Sequence, residues 1–150
     1  MAAKTSQPVS NADKTVLAHV ENTLDPIIFP DSRVLLLGSL PSPKSREIGF
    51  YFGNPQNRFW RVIAALYGEK PLQFIPEKID FCKRHHLALC DVLKACDIKG
   101  ASDASIANPV PHNIGALIQD SSICAIFTLG GTATKFYKRY TEQQTGIPAR

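Results

Sequence analysis

Short apolar runs and helical segments alternate along this chain. The first run, Val34–Leu37, is continuous and lies between turn-forming residues, a pattern that predicts a strand over residues 33–37 buried on both faces. Two later runs predict strands over residues 87–93 and 123–128. Strands that alternate with helices indicate a parallel sheet with helices on both faces, so we predict an α/β protein, a three-layer α/β/α sandwich. The predicted helices span residues 57 or 58–67, 76–86, 112–119 and 132–143.

The two ends of the chain differ from this pattern. Residues 1–11 are polar and small and predict a tail, and residues 12–22 have weak helical character, so we place the globular domain at residues 25–150. After Gly146, a helix stop, the last four residues read like a connection into another strand. We therefore expect the parallel sheet to lack its last strand, because the chain is truncated at its carboxyl end.

Composition excludes several classes of protein. With 150 residues, 44% hydrophobic and 20% charged, the chain fits one globular domain. Its four cysteines form no CxxC pair and lie mostly among apolar neighbours, so we expect reduced, buried thiols rather than a metal site or a disulfide frame. No apolar run has the length of a membrane span or the pattern of a signal peptide. We expect an intracellular, cytoplasmic monomer without a membrane partner.

Positive charge is concentrated in one segment. The net charge is +4, and residues 33–61 contain five cations against Glu47 alone. Either this segment faces phosphates or it is a solvated surface, and composition does not separate the two. The five cations are Arg33, Lys44, Arg46, Arg58 and Arg61.

The segment Gly38–Trp60 follows the first strand and carries the candidate chemistry. It combines turn-forming residues, aromatic rings, amides and cations, and open α/β sheets place their ligand sites at the carboxyl ends of strands. Aromatic faces beside Asn and Gln amides suit a heterocyclic base, which stacks on a ring and is read through paired hydrogen bonds. The alternative is that Phe52, Phe59 and Trp60 pack the sheet while Asn54 and Asn57 cap a helix. For Phe59 and Trp60 we favour the core, whereas Asn57 can serve both purposes.

Two ordered motifs in this segment resemble a known family. They are Gly38-Ser39-Leu40-Pro41 after the buried strand and the run Tyr51–Trp60, YFGNPQNRFW. The sequence is similar to the uracil-DNA glycosylase superfamily from about Asp25 onward, and looks closest to its hypoxanthine (deoxyinosine) DNA glycosylase branch. The resemblance implies a monofunctional enzyme of base-excision repair that removes deaminated bases, hypoxanthine or uracil, from DNA and needs no cofactor or metal. The alternative is a DNA-binding module that has lost turnover through truncation.

The resemblance also implies roles for single residues. Asn57 matches the essential Asn, which orients a water, and Phe52 matches the ring that stacks on the extruded base. Leu40 stands where the mismatch-specific relatives have a water-positioning Asn, and Asn54 replaces a common His. The implied substrate-binding residues are Gly38, Ser39, Leu40, Pro41, Ser42, Tyr51, Phe52 and Asn54, and the implied DNA-phosphate contacts are Lys44, Arg46 and Arg58.

Other polar residues allow weaker interpretations. The loop predicted at residues 97–108 follows a strand end, so its stretch 102–105 either lines the pocket or is a plain turn. His85 and His86 lie at a predicted helix end, where a structural role is more common than general-base chemistry. His112 has no partner that the sequence identifies. The relatives end in a strand and a loop that wedges into the minor groove, and this chain stops before that loop.

Overall fold

The computed structural model of the chain describes residues 16–150. The tail predicted at residues 1–11 and the first part of the weak helix therefore lie outside the described residues. Within residues 16–150, the chain forms six strands and six helices. In chain order they are β1 (Leu17–Glu21), β2 (Val34–Gly38), α1 (Pro43–Ile48), α2 (Phe59–Leu66), α3 (Ile75–Arg84), β3 (Leu87–Asp91), β4 (Leu93–Lys99), β5 (Ser102–Pro111), α4 (Ile114–Ile118), β6 (Ala125–Thr128), α5 (Gly131–Tyr140) and α6 (Glu142–Thr145).

A three-stranded parallel sheet, in the order β3-β2-β6, forms the middle of the domain. The central strand, β2, corresponds to the first predicted strand, and its apolar run is buried as expected. The other two strands begin and end within a few residues of the predicted bounds. The parallel sheet and the α/β class predicted from the sequence are confirmed.

Helices cover both faces of this sheet. Side chains alternate along a strand, so β2 contributes to two separate apolar cores. One core contains residues of α4 and α5, and the other contains residues of α2 and α3, which gives the three layers predicted from the sequence. The first core includes Leu35, Leu37, Ile114, Phe136 and Tyr137, and the second includes Leu36, Leu89, Trp60, Phe81 and Cys82.

A second sheet, antiparallel in the order β1-β4-β5, was not predicted. The prediction of a loop over residues 97–108 is wrong, because this segment forms the hairpin of β4 and β5. The two-residue connection of the hairpin contains Gly100 at a φ of 56°. Most residues of β5 are exposed or half-buried. A strand with one solvated face can have a polar composition, because backbone pairing holds it in the sheet. The Ser, Asp and Asn residues of this segment therefore resemble a loop sequence.

The weak helix expected at residues 12–22 is also wrong over its described part. Leu17–Glu21 forms β1, which pairs antiparallel with β4 from Leu17↔Lys99 to Glu21↔Ala95. These five residues are mostly exposed, so apolar periodicity gives no signal here and pairing with an existing strand decides the conformation. At the other end of the chain, Ala149 makes a parallel bridge with Ile126 along the outer edge of β6.

The burial predicted for the cysteines is confirmed for three of the four residues. Cys82, Cys90 and Cys96 are buried free thiols, whereas Cys124 is exposed. Among residues 16–150, no group of three or more His, Cys, Asp or Glu side chains is arranged to hold a metal ion. The described part of the chain also contains no helix long and apolar enough to cross a membrane.

The carboxyl ends of β2 and β3 lie in close contact. Gly38 pairs with Asp91 in the parallel register, and a Cβ atom added to Gly38 would lie 2.6 Å from Asp91 Oδ1. Val92 N–H donates to the Gly38 carbonyl at 2.8 Å. Any side chain at position 38 would therefore displace the carboxylate of a buried residue.

Replacing Gly38 by Ala should lower the free energy of unfolding by about 1–3 kcal/mol, since overpacking forces a shift in a well-packed site. Urea denaturation measures this effect. Gly131→Ala is the matched control, because an added Cβ there meets nothing within 4 Å. Equal denaturation midpoints for the two variants would contradict the close approach of Gly38 to Asp91.

Candidate active site

The segment after β2 folds as a helix followed by a loop. Ser42 begins α1, and its Oγ accepts the N–H of Ser45 at 3.2 Å. Pro43 at the first helical position suits this start. Ser45 is buried, and its Oγ accepts the N–H of Gly53 at 3.1 Å. The hydroxyl of Ser45 therefore ties α1 to the aromatic loop beside it.

Aromatic side chains anchor this loop in the core. The Trp60 ring stacks on Phe50 with centroids 5.8 Å apart, and its Nε1 donates to the Tyr51 carbonyl at 2.9 Å. Tyr51 is only 3% exposed, its hydroxyl donates to the Leu24 carbonyl, and burial raises its pKa. The structure thus brings Tyr51, predicted to bind substrate, into the core rather than into a cavity. Trp60 is 4% exposed, which confirms the core position favoured for it.

Phe52 has an unusual backbone conformation. Its φ is 52°, which is rare for a bulky residue and costs about 1–3 kcal/mol. The ring is half-buried and stacks on Phe59, with centroids 4.0 Å apart and an interplanar angle of 29°. Strained conformations of this kind cluster at ligand sites. The position and the strain of Phe52 both mark it as a functional candidate.

Asn57 lies at the start of α2 and is exposed. Its Oδ1 accepts the Phe59 N–H at 2.9 Å, and its own N–H donates to the Asn54 carbonyl at 2.8 Å. Asn54 Oδ1 in turn accepts the Gln56 N–H at 3.0 Å. Both amides therefore order the turn that leads into α2. A carbonyl oxygen has two lone pairs, so Asn57 Oδ1 keeps the capacity to accept a second hydrogen.

Phe52, Asn54 and Asn57 line one shared cavity of about 370 Å³, which we name the aromatic cavity. Its volume is in the range of small-molecule sites. Two cations outside the predicted site residues, Arg61 from the cationic segment and Lys78, also line it. The complete lining is Phe52, Gly53, Asn54, Pro55, Asn57, Trp60, Arg61, Pro71, Leu72, Gln73 and Lys78.

The predicted motif after β2 lines a different, smaller cavity of about 110 Å³. The structure therefore does not bring Ser39–Ser42 and Asn57 to one cavity wall. Asp103, on β5, lines this smaller cavity together with the motif loop, and no residue of the stretch 102–105 lines the aromatic cavity. The lining residues are Ser39, Leu40, Pro41, Ser42, Pro43, Ile98, Gly100, Ala101 and Asp103.

The three cations predicted to contact phosphates have different surroundings. Lys44 Nζ lies 3.7 Å from Glu47 Oε2 on the same helix. Arg46 is half-buried, its Nε is buried without a hydrogen-bond partner among residues 16–150, and burial lowers its pKa. Arg58 is exposed at the start of α2. None of the three lines either cavity.

Asp91, at the end of β3, was not predicted as a site residue. It is 3% exposed, and burial raises its pKa to about 7, although Asn22 Nδ2 donates to its Oδ2 at 3.1 Å. His112, which lacked a partner in the sequence, donates from Nδ1 to the Asp91 carbonyl at 2.9 Å. A buried carboxyl at a strand end next to Gly38 is a candidate positioning group. The single signal in the sequence is an acidic residue closing an apolar run.

The two helix-end histidines make local contacts. His85 bonds to Glu69, and its ring packs against Tyr67 with centroids 4.0 Å apart. His86 Nδ1 lies 3.3 Å from Asp31 Oδ2. Neither lines the aromatic cavity or the smaller cavity, so the structural role favoured for both stays a prediction.

Comparisons with known proteins agree with the motifs. A family model described as the uracil DNA glycosylase superfamily matches residues 26–148. A protein named hypoxanthine DNA glycosylase from Methanosarcina acetivorans is 35% identical over 92 residues, 61% of this chain and 58% of that protein. One of the same name from Methanosarcina barkeri is 37% identical over 83 residues, 54% of this chain and 52% of that protein. The chain thus spans little more than half the length of these curated relatives.

A solved structure is similar over most of the chain. It is an NMR structure of a Methanosarcina acetivorans protein, which its name assigns provisionally to the uracil DNA glycosylases. The TM-score is 0.74 at 26% sequence identity, and the match covers 85% of this chain and 79% of that one. The fold expected from the resemblance is confirmed.

Titration of Asp91 should make stability depend on pH. Because its pKa is about 7 when folded and 3.8 ordinarily, the folded state holds the proton more tightly between these values. The contribution of protonated Asp91 to the free energy of unfolding is fully present below pH 3.8. It falls by up to about 1.4 kcal/mol per pH unit between pH 3.8 and pH 7, and it is lost above pH 7. Relative to Asp91→Asn, the wild type should therefore lose stability from pH 5 to pH 7.5 and then level off.

Urea denaturation at several pH values measures this difference. Asp120→Asn, at an exposed position, serves as the control and should follow the wild-type curve. Parallel curves for the wild type and Asp91→Asn would show that Asp91 is ionised throughout this range.

Proposed function

The chain belongs to the uracil DNA glycosylase superfamily, and from that premise we propose that it is a monofunctional DNA glycosylase acting on deaminated bases. It hydrolyses the bond between the base nitrogen and C1′ of the deoxyribose. Hypoxanthine is the favoured base and uracil the second, because the similar curated proteins are named hypoxanthine DNA glycosylase. The protein works on DNA as an intracellular monomer.

The aromatic cavity is the observation that carries this proposal. Phe52, held against Phe59, and the carboxamide of Asn57 line the same space. A base stacked on an aromatic ring gains about 1–3 kcal/mol. An extruded base that stacks on Phe52 brings its sugar toward Asn57. The strained backbone at Phe52 supports the same conclusion, because such strain is kept where a ligand needs it.

Asn57 provides the chemistry in this proposal. Cleavage passes through an oxocarbenium-like sugar and an anionic leaving base, so preorganised dipoles matter more than a strong nucleophile. The free lone pair of Asn57 Oδ1 orients a water toward C1′, while the other accepts the Phe59 N–H. An amide is a weak base, so the rate is modest. Chemistry of this kind requires neither a metal nor a cofactor.

The remaining predicted residues have supporting roles in this proposal. The backbone of Gly38–Ser42 contacts the sugar from the side of the smaller cavity, while the base itself lies in the aromatic cavity. Asn54 contacts the base edge, and Tyr51 holds the loop from the core. Lys44, Arg46 and Arg58 contact flanking phosphates.

Selection of damaged DNA follows from the cost of extrusion. Swinging a nucleotide out of the duplex costs a few kcal/mol, and least for a mismatched or damaged pair. Deaminated bases pair poorly, so they enter the cavity more readily than normal bases. A cavity contact then discriminates hypoxanthine from uracil.

Incubation with oligonucleotides that contain inosine or uracil, followed by alkaline cleavage of abasic sites, tests the function. Strand scission at the modified position supports a glycosylase. Retention of the oligonucleotide without scission supports a DNA-binding module instead, the alternative that the sequence left open.

Replacing Asn57 by Ala should reduce base release by at least about 100-fold, the usual effect of removing a preorganised polar group. DNA affinity should change by less than about twofold. The lost cap costs about 1 kcal/mol of stability, so Asn113→Ala is the control, because Asn113 caps α4 through a bond to the Ala116 N–H. Single-turnover base release measures both, and unchanged release in Asn57→Ala would remove this residue from the mechanism.

Replacing Phe52 by Ala should weaken binding of inosine-containing DNA by about 1–3 kcal/mol, roughly 5- to 150-fold, because the stacking surface is lost. Affinity for undamaged DNA should not change. Phe74→Ala is the control, since Phe74 is 63% exposed and does not line the cavity. Fluorescence anisotropy in an Asn57→Ala background measures binding without turnover, and an unaffected Phe52→Ala variant would return this ring to a packing role.

A further inference from the structure

We propose that Lys78 binds a backbone phosphate beside the extruded nucleotide at the aromatic cavity. The inference rests on the proposed function and adds a DNA contact that the sequence motifs do not contain. Lys78 lies in the first half of α3, more than ten residues after Trp60, and no cationic pattern marks it. Only the folded chain brings its ammonium group to the same cavity as Phe52 and Asn57.

The position of Lys78 is defined by the aromatic wall of the cavity. Its Nζ lies 5.4 Å from the centroid of the Trp60 ring. The side chain is half-buried, and burial lowers its pKa. The cation–π interaction with the indole ring contributes about 0.5–2 kcal/mol and partly compensates for the hydration that the ammonium group loses. The stem of Lys78 thus packs on the wall while its charge stays at the cavity.

Among the described residues, the carboxylate that acts on this charge is that of the adjacent Glu77, and it forms no ion pair with Lys78. Within residues 16–150, Lys78 forms no ion pair, and none of the residues that line the aromatic cavity is acidic. By contrast, Lys44 is paired with Glu47, and Arg84, on the same helix as Lys78, is paired with Asp80 at 2.8 Å. A partly desolvated, unpaired ammonium is costly, and an anion that enters the cavity offsets this cost.

Arg61 adds a second charge from another helix. It lies on α2, is exposed, and also lines the aromatic cavity. Two cations that converge on one concave surface without a carboxylate raise the local concentration of anions. A base held by Phe52 is linked through its sugar to phosphodiesters on both sides, so a phosphate is the anion that reaches this site together with the nucleotide. The compact charge of a lysine is a common phosphate ligand.

The first test is the salt dependence of DNA binding. The probe is a duplex with a tetrahydrofuran abasic analogue, which binds without base release and therefore separates this inference from the proposed function. Lys78→Gln should reduce the slope of log K against log salt by about 0.9, the contribution of one phosphate contact. Lys78→Arg should retain the wild-type slope. Lys83→Gln is the matched control, because Lys83 lies on the same helix, is exposed, and does not line the cavity.

A second test identifies the phosphate. Each phosphate that flanks the abasic site is replaced in turn by an uncharged methylphosphonate. In the wild type, one replacement should weaken binding several-fold, and in Lys78→Gln the same replacement should have no further effect. Equal responses of both proteins at every position, an unchanged salt slope, or no binding of the duplex by the wild type would each overturn the proposal. If the contact is found but no base is released in the alkaline-cleavage assay, Lys78 binds DNA in a protein that is not a glycosylase.

Discussion

Parallel pairing of β2 with both β3 and β6 is the constraint on which the site depends. Alternate side chains of β2 fill two different cores: Leu35 and Leu37 lie on one side of the sheet and Leu36 on the other. A shift of register by one residue would exchange these faces. The strand therefore leaves the sheet at one fixed point, Gly38, where Asp91 allows no side chain. The exit of the chain at Gly38 therefore determines where the segments that carry the candidate site lie.

The loop beyond this exit is stiffened by contacts that do not involve a ligand. Ser45 joins α1 to Gly53, and Trp60 bonds to the backbone of Tyr51. These bonds hold Phe52 in a conformation that an unsupported chain would leave. A cavity whose walls are fixed before the substrate arrives loses little entropy on binding. The same preorganisation is what an amide needs to direct a water, since its own basicity is low.

Charge is arranged differently in the two parts of the site. On α1, Lys44 has a counter-ion and Arg46 is partly withdrawn from water. At the aromatic cavity, Arg61 and Lys78 face a space without carboxylates. Surface ion pairs contribute little to stability, so the pairing of Lys44 does not prevent a contact with DNA. Because Arg61 and Lys78 form no ion pair among residues 16–150, we expect a phosphate to bind more favourably at the aromatic cavity than beside α1.

The strongest sequence signals were those with a single physical origin. The strand β2 is predictable because a short apolar run between turn-forming residues is typical of a buried strand. The helix α2 is predictable because Gly68, a helix stop, follows its apolar stripe. The antiparallel sheet was missed because its strands are polar and are held by backbone bonds between distant segments, which leave no periodicity. Lys78 and Asp91 were missed for a related reason, since tertiary contact alone brings them to the site.

A structure of the protein bound to a duplex that carries 2′-fluorodeoxyinosine, whose glycosidic bond resists cleavage, tests the central claim most directly. The account predicts that the hypoxanthine ring is extruded, stacks on Phe52 and places C1′ within reach of a water held by Asn57. A base that remains in the helical stack, or that lies in the smaller cavity between Ser39 and Asp103, would contradict it.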